Sequence, residues 1–341
     1  MHPFAPKLAA RFPNTQRPAR CLALAAAVTL CGIVPAALAQ QTGPTTSRQL
    51  APGVLTTIPP NFAPEDTVST HDVVEIRANR ALQWQPEFLA ASNTLYGMAD
   101  EVKFRRDIWC LEFSFKPLRM IEVDVPLRAP PEGRSGGTQR KLVWYLVYRV
   151  QNTGDVLKPV QADDGVYTAQ LVKDGPIRFL PQFVLESQDR LASGEPTAIA
   201  YLDRVIPAAV AAIAERELPG QKLHNSVEMA AQQIPVSGER IDKGLWGVAT
   251  WTDIDPRIDF FSIFVGGLTN AYRWADTPGA YRPGDFPGKG RAFARNTLQL
   301  NFWRPGDELL QGERELRYGV PVGQADLYDV PPGVAYRWVY R

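Results

Sequence analysis

The sequence predicts a mainly β chain, an immunoglobulin-like β-sandwich carrying a helical insertion. Three observations lead there. Runs rich in β-branched and aromatic residues recur from about Asp107 to the C-terminus. Turn signals separate them, drawn from 26 glycines and 30 prolines in 341 residues. One Ala-rich stretch, 199–217, places apolar residues three and four apart.

The elements follow in order. Residues 1–39 read as a secretory signal. Lys7, Arg11, Arg17 and Arg20 precede an apolar run from Cys21 to Pro35, and Ala37-Leu38-Ala39 forms a small-x-small cleavage site. Residues 40–78 are polar and Pro-rich and read as a flexible lead. Residues 79–106 read as a helical segment, with Leu82, Phe88, Leu89, Leu95 and Met98 near helical spacing. Residues 107–341 form the β-sandwich region.

Within it, Trp109 to Val125 is a β-prone run broken near Pro117. Leu142 to Val150 is nearly all apolar, as expected of a strand buried on both faces. Asn152-Thr153-Gly154-Asp155 marks its turn. Ile177 to Leu185 reads as a strand. The helix over 199–217 carries a stripe through Ile199, Leu202, Val205, Ile206, Ala209, Val210 and Ile213, with Pro207 as a kink. Strands resume at Leu245–Trp251, Ile258–Val265, Thr297–Trp303 and Val334–Tyr340. A long loop over 275–293 holds three Pro-Gly pairs.

Charge and cysteine content narrow the function classes. The chain has 37 basic and 36 acidic residues. Loss of residues 1–39 takes four basic residues and no acid, leaving a mildly acidic remainder. Nucleic acid is therefore not an expected partner. After signal cleavage no apolar run is long enough for a stable membrane span. The expected location is the periplasm or the extracellular space. Of three cysteines only Cys110 lies beyond the signal, so no internal disulfide is expected there. Its apolar setting, Ile108-Trp109-Cys110-Leu111, reads as a buried inert thiol.

Two resemblances add to this. Tyr148-Arg149-Val150-Gln151-Asn152-Thr153-Gly154-Asp155 resembles the strand and turn of bacterial immunoglobulin-like surface domains. Three longer stretches resemble uncharacterised secreted proteins of planctomycete-type bacteria. They are Trp246 to Trp251, Asp255 to Phe261 and Leu298 to Asp307. The second resemblance implies export and supplies no catalytic residues.

Candidate chemistry is sparse. Gly133-Arg134-Ser135-Gly136-Gly137 matches Gly-x-Ser-x-Gly, but Pro130-Pro131 precede it and a strand follows, so it reads as a hairpin loop. Asp253, Asp255 and Asp259 around Pro256 are candidate Ca²⁺ ligands, since close carboxylates on a loop suit a hard cation. The other reading is an Asp-capped turn paired to Arg257. No other cofactor is implied. Glu112, Glu122, Asp124 and Glu186 could supply a carboxylate pair for glycoside hydrolysis. Among eight tryptophans, Trp274 beside the long loop is the best exposed candidate, and with Tyr281 and Phe286 it forms the expected ligand-contact set. The sequence favours an exported, non-catalytic binding or structural protein of the cell envelope or matrix, its partner an envelope protein or a glycan. The alternative is a secreted polysaccharide hydrolase using paired carboxylates.

Overall fold

The computed structural model describes residues 51, 53–70, 103–126, 137–238, 241–280, 289–305 and 316–341. The signal reading of 1–39, the helical reading of 79–102, Tyr281, Phe286 and Ser135 lie outside these residues.

The chain is mainly β, and its two large antiparallel sheets pack face to face. The first holds β1 (Thr56–Ile58), β5 (Glu112–Phe115), β6 (Arg119–Pro126), β7 (Thr138–Gln151) and β12 (Leu245–Thr252). The 14-residue β7 is its spine. β12 lines one edge, while β5 and β6 share the other end to end. The break between β5 and β6 falls at Pro117, which has no N–H to continue a ladder.

The second sheet holds β10 (Gln182–Ser187), β11 (Ala200–Leu202), β13 (Phe260–Gly266), β14 (Tyr272–Asp276), β15 (Arg291–Trp303), β16 (Arg317–Tyr318) and β17 (Tyr336–Tyr340). Here β15 is the spine. Smaller ladders join β2 (Val68–Thr70) to β3 (Lys103–Arg105), and β4 (Ile108–Trp109) to β8 (Asp155–Gln161) and β9 (Tyr167–Lys173).

Aromatic rings fill the space between the sheets. Tyr148 meets Phe183 at 4.7 Å, Trp144 meets Phe261 at 5.6 Å, and Phe115 meets Phe302 at 6.3 Å. Helix α1 (Pro207–Glu217) covers the outer face of the first sheet, packing Ala209 and Ile213 on Val143, Tyr145, Val147 and Val248. This explains the unbroken apolar run of β7, whose alternate residues enter two different cores. Helix α2 (Ser226–Ala230) starts with a capping box between Asn225 and Glu228. The outer face of the second sheet carries a buried polar layer: Ser262 Oγ and Gln299 Nε2 each lie 2.9 Å from Asn301 Oδ1. Among the described residues no helix is long and apolar enough to cross a membrane.

Five expectations need correction. The helix read over 199–217 begins only at Pro207. Residues 200–202 are strand β11, and Ile206 is extended, as the residue before a proline prefers. Pro207 therefore opens the helix at its first position instead of kinking it. Leu202, assigned to the buried stripe, is 68% exposed. The helical segment read to 106 ends in strand β3 at Lys103–Arg105. The strand read from Ile177 starts at Gln182, after Pro181. The loop read over 275–293 is shorter at both ends, because β14 runs to Asp276 and β15 begins at Arg291. Part of the lead read as flexible is also built into the fold: Ile58 of β1 is buried between the sheets.

Candidate functional site

The β14–β15 hairpin presents the most chemically distinctive surface. Its register places Tyr272 opposite Arg295, Trp274 opposite Phe293, and Asp276 opposite Arg291. Directly paired residues share a face, so one side of the hairpin holds three aromatic rings and two arginines. Tyr272 and Phe293 meet edge to face at 5.8 Å. The Arg291 guanidinium lies 3.5 Å from the Trp274 ring centre and forks onto Asp276 through Nε at 2.8 Å and Nη2 at 3.1 Å. Arg106 stacks on Tyr272 at 3.7 Å while its Nη2 donates to the Tyr272 carbonyl at 2.7 Å.

The opposite side anchors the hairpin. Arg273 Nε donates to Asp66 Oδ1 at 3.2 Å and its guanidinium stacks on Tyr340 at 4.0 Å. The Tyr340 hydroxyl donates to the buried Asp66 carboxylate. Burial raises the Tyr340 pKa, and the Asp66 charge adds to it. The face is thus carried on a fixed support, as a contact surface requires.

Trp274 does sit on this face, but it is half-buried. Arg291 covers one side of its ring, and its Nε1 donates to Ser69 Oγ at 3.0 Å. The ring most open to solvent is Phe293, 50% exposed. Sequence reasoning missed it, because only the strand register puts it beside Trp274.

Two of the three aspartates proposed for Ca²⁺ are held by separate cations, and the third faces another carboxylate. Asp253, at a positive φ of 60°, accepts from Lys141 Nζ at 2.7 and 3.0 Å, and this pairing lowers its pKa. Asp255 accepts from Arg257 Nε at 3.0 Å and Nη2 at 2.8 Å, which pulls its pKa down to about 2. Asp259 lies beside Asp189, and burial together with that negative neighbour raises its pKa. Among the described residues no group of three or more His, Cys, Asp or Glu is arranged to hold a metal ion. The geometry fits the paired turn better than a cation needing six to eight oxygen ligands.

Two of the four acids considered for hydrolysis are likewise occupied. Glu122 pairs with Arg140 at 2.8 Å on the first sheet, and Glu186 with Arg341 at 2.7 Å on the second. Asp124 lies opposite Arg140, and Glu112 opposite Gln151. The juxtaposition the sequence did not reveal is Asp189 with Asp259. Asp189 accepts from Ser187 Oγ and from the Phe260 amide, both at 2.9 Å, which makes it a tie between chain segments. The Gly-x-Ser-x-Gly segment falls between β6 and β7, which pair antiparallel, and the next described element is a strand and not a helix. The chain matches no protein-family model, no curated protein and no solved structure, so these geometries carry the functional argument alone.

Proposed function

We propose that the chain is an exported, non-catalytic binding or structural protein of the cell envelope or matrix, with the β14–β15 hairpin as its contact face. One observation carries this reading: half-exposed Phe293 stands between Tyr272 and Trp274 on a face flanked by Arg106, Arg291 and Arg295. Amphipathic rings and guanidiniums on a rigid hairpin are what recognition surfaces enrich. The partner is an envelope protein or a glycan, since both offer apolar faces beside polar groups. Export rests on residues 1–39 and on the resemblance to secreted planctomycete-type proteins. Asp253, Asp255, Glu122 and Glu186 are each paired to a cation, which favours binding over hydrolysis.

The test is retention on envelope and matrix material from the host. Wild type, Phe293→Ser and Leu180→Ser, an exposed apolar residue outside the hairpin, would be compared after washing. Loss of retention in Phe293→Ser alone supports the reading. Equal retention of all three, or of none, rejects it.

A further inference from the structure

The β9 strand is an exposed sheet edge that the fold leaves unguarded. It pairs with β8 on one side, and among the described residues no strand pairs with the other. Several other edges are dealt with. The outer edge of β12 is occupied by residues of the following connections: Arg204 N donates to Thr250 O, Val248 N to His224 O, and His224 N to Trp246 O. β6 carries Glu122, Asp124 and a terminal Pro126, and Arg216 Nη1 binds its Met120 carbonyl at 3.0 Å. β1 and β11 are three residues each. Natural proteins blunt edges with such charges, prolines, covers and short lengths. β9 has no proline over its seven residues, Tyr-Thr-Ala-Gln-Leu-Val-Lys, and its cover is one side chain, Arg105, stacked 3.5 Å from the Tyr167 ring centre. Its one charge, Lys173, is taken up by Asp155 at 2.7 Å. Leu171 and the adjoining Val166 are each 56% exposed.

We infer that β9 pairs antiparallel with β9 of a second copy of this chain, about a two-fold axis through Gln170. The strand is self-complementary in that register. Lys173 falls opposite Tyr167, Val172 opposite Thr168, and Leu171 opposite Ala169, with Gln170 opposite itself. No like charges meet. A β-branched pair and an aliphatic pair each favour the ladder. An isologous contact of this kind closes at a dimer. A single seven-residue ladder with its flanking side chains is a small interface, so the expected association is micromolar.

Position 170 gives the test, since Gln170 is exposed and lies on the axis, with Lys158 opposite it across the β8–β9 ladder. Gln170→Lys and Gln170→Glu each bring like charges together at the axis. An equimolar mixture brings opposite charges together. Sedimentation equilibrium should show a wild-type dimer, two monomeric variants, and a dimer restored in the mixture. Circular dichroism melts at dilute concentration should place Gln170→Lys slightly below wild type, because of Lys158 opposite, and Gln170→Glu no lower than wild type, so loss of the dimer in both cannot come from unfolding. A monomeric wild type overturns the inference. So does a dimer that persists in both single variants, or one that the mixture fails to restore.

Discussion

The Tyr145 hydroxyl of β7 donates to Glu217 Oε1 at the end of α1, at 2.9 Å. The same carboxylate receives Arg119 Nη1 at 2.7 Å and Lys116 Nζ at 3.4 Å, and its side chain is almost fully buried. One acid thus fixes the helix onto the sheet from three directions. Deleting it would take the ion-pair carboxylate from two partly buried cations. Glu217→Ala should cost about 3 kcal/mol, and Tyr145→Phe about 1.5 kcal/mol. Urea denaturation midpoints of the two variants measure both. Equal costs would mean that the two cations contribute nothing.

Gly267 ends β13 with φ +87°, and a Cβ there would sit 2.1 Å from the Leu180 carbonyl oxygen. Gly323 has nearly the same φ, +80°, but nothing within 4 Å of its Cβ position. The two sites share the backbone strain of a left-handed residue, about 1–2 kcal/mol. They differ in the backbone clash. Gly267→Ala should therefore destabilise markedly more than Gly323→Ala, which should lose only about 1 kcal/mol. Thermal melts of the pair separate strain from collision, and matching losses would show that the 179–181 segment yields.

Which elements were legible follows from how many environments each residue serves. β7 was clear because alternate residues enter two cores, Trp144, Leu146 and Tyr148 on one side and Tyr145 and Val147 on the other. The β8–β9 hairpin was missed: Pro159 interrupts β8, and β9 has few buried residues to create a pattern. Helical spacing ran across Pro207 by coincidence, because Ile199, Leu202 and Val205 face solvent on an edge strand and its connection. At the candidate site, Trp274 was visible as a residue type, while Phe293 and Arg291 became its neighbours only through register.

Cys110 is buried and lies 3.4 Å from the Asn61 amide, and burial pushes its thiol up to about 12. Thiolate is the reactive form, so the folded chain should resist alkylation at this site near neutral pH. Peptide mass spectrometry after iodoacetamide treatment should find Cys110 unmodified in buffer and fully modified in denaturant. Rapid modification in buffer would show that the β4–β5 region opens locally.

Asp203 joins the two sheets. Its Oδ1 accepts from the Thr250 amide at 2.7 Å, its Oδ2 from the Ser226 hydroxyl, and its own amide donates to the Phe183 carbonyl at 3.1 Å. Burial raises its pKa above the ordinary 3.8, and the hydrogen bonds from Ser226 and Thr250 only partly oppose that. Folding therefore favours the protonated carboxyl. Its charge costs the fold nothing below the unfolded value, and the cost grows as pH rises from there through the raised value. Asp203→Asn keeps an acceptor for the Thr250 amide and removes the charge. Between about pH 4 and 7 the variant should gain stability relative to wild type, by an amount that levels off above the raised pKa. Urea midpoints taken across that range give the difference directly. Parallel curves would mean that the carboxyl is hydrated enough to ionise freely, and the sheet-to-sheet tie would then owe nothing to its protonation.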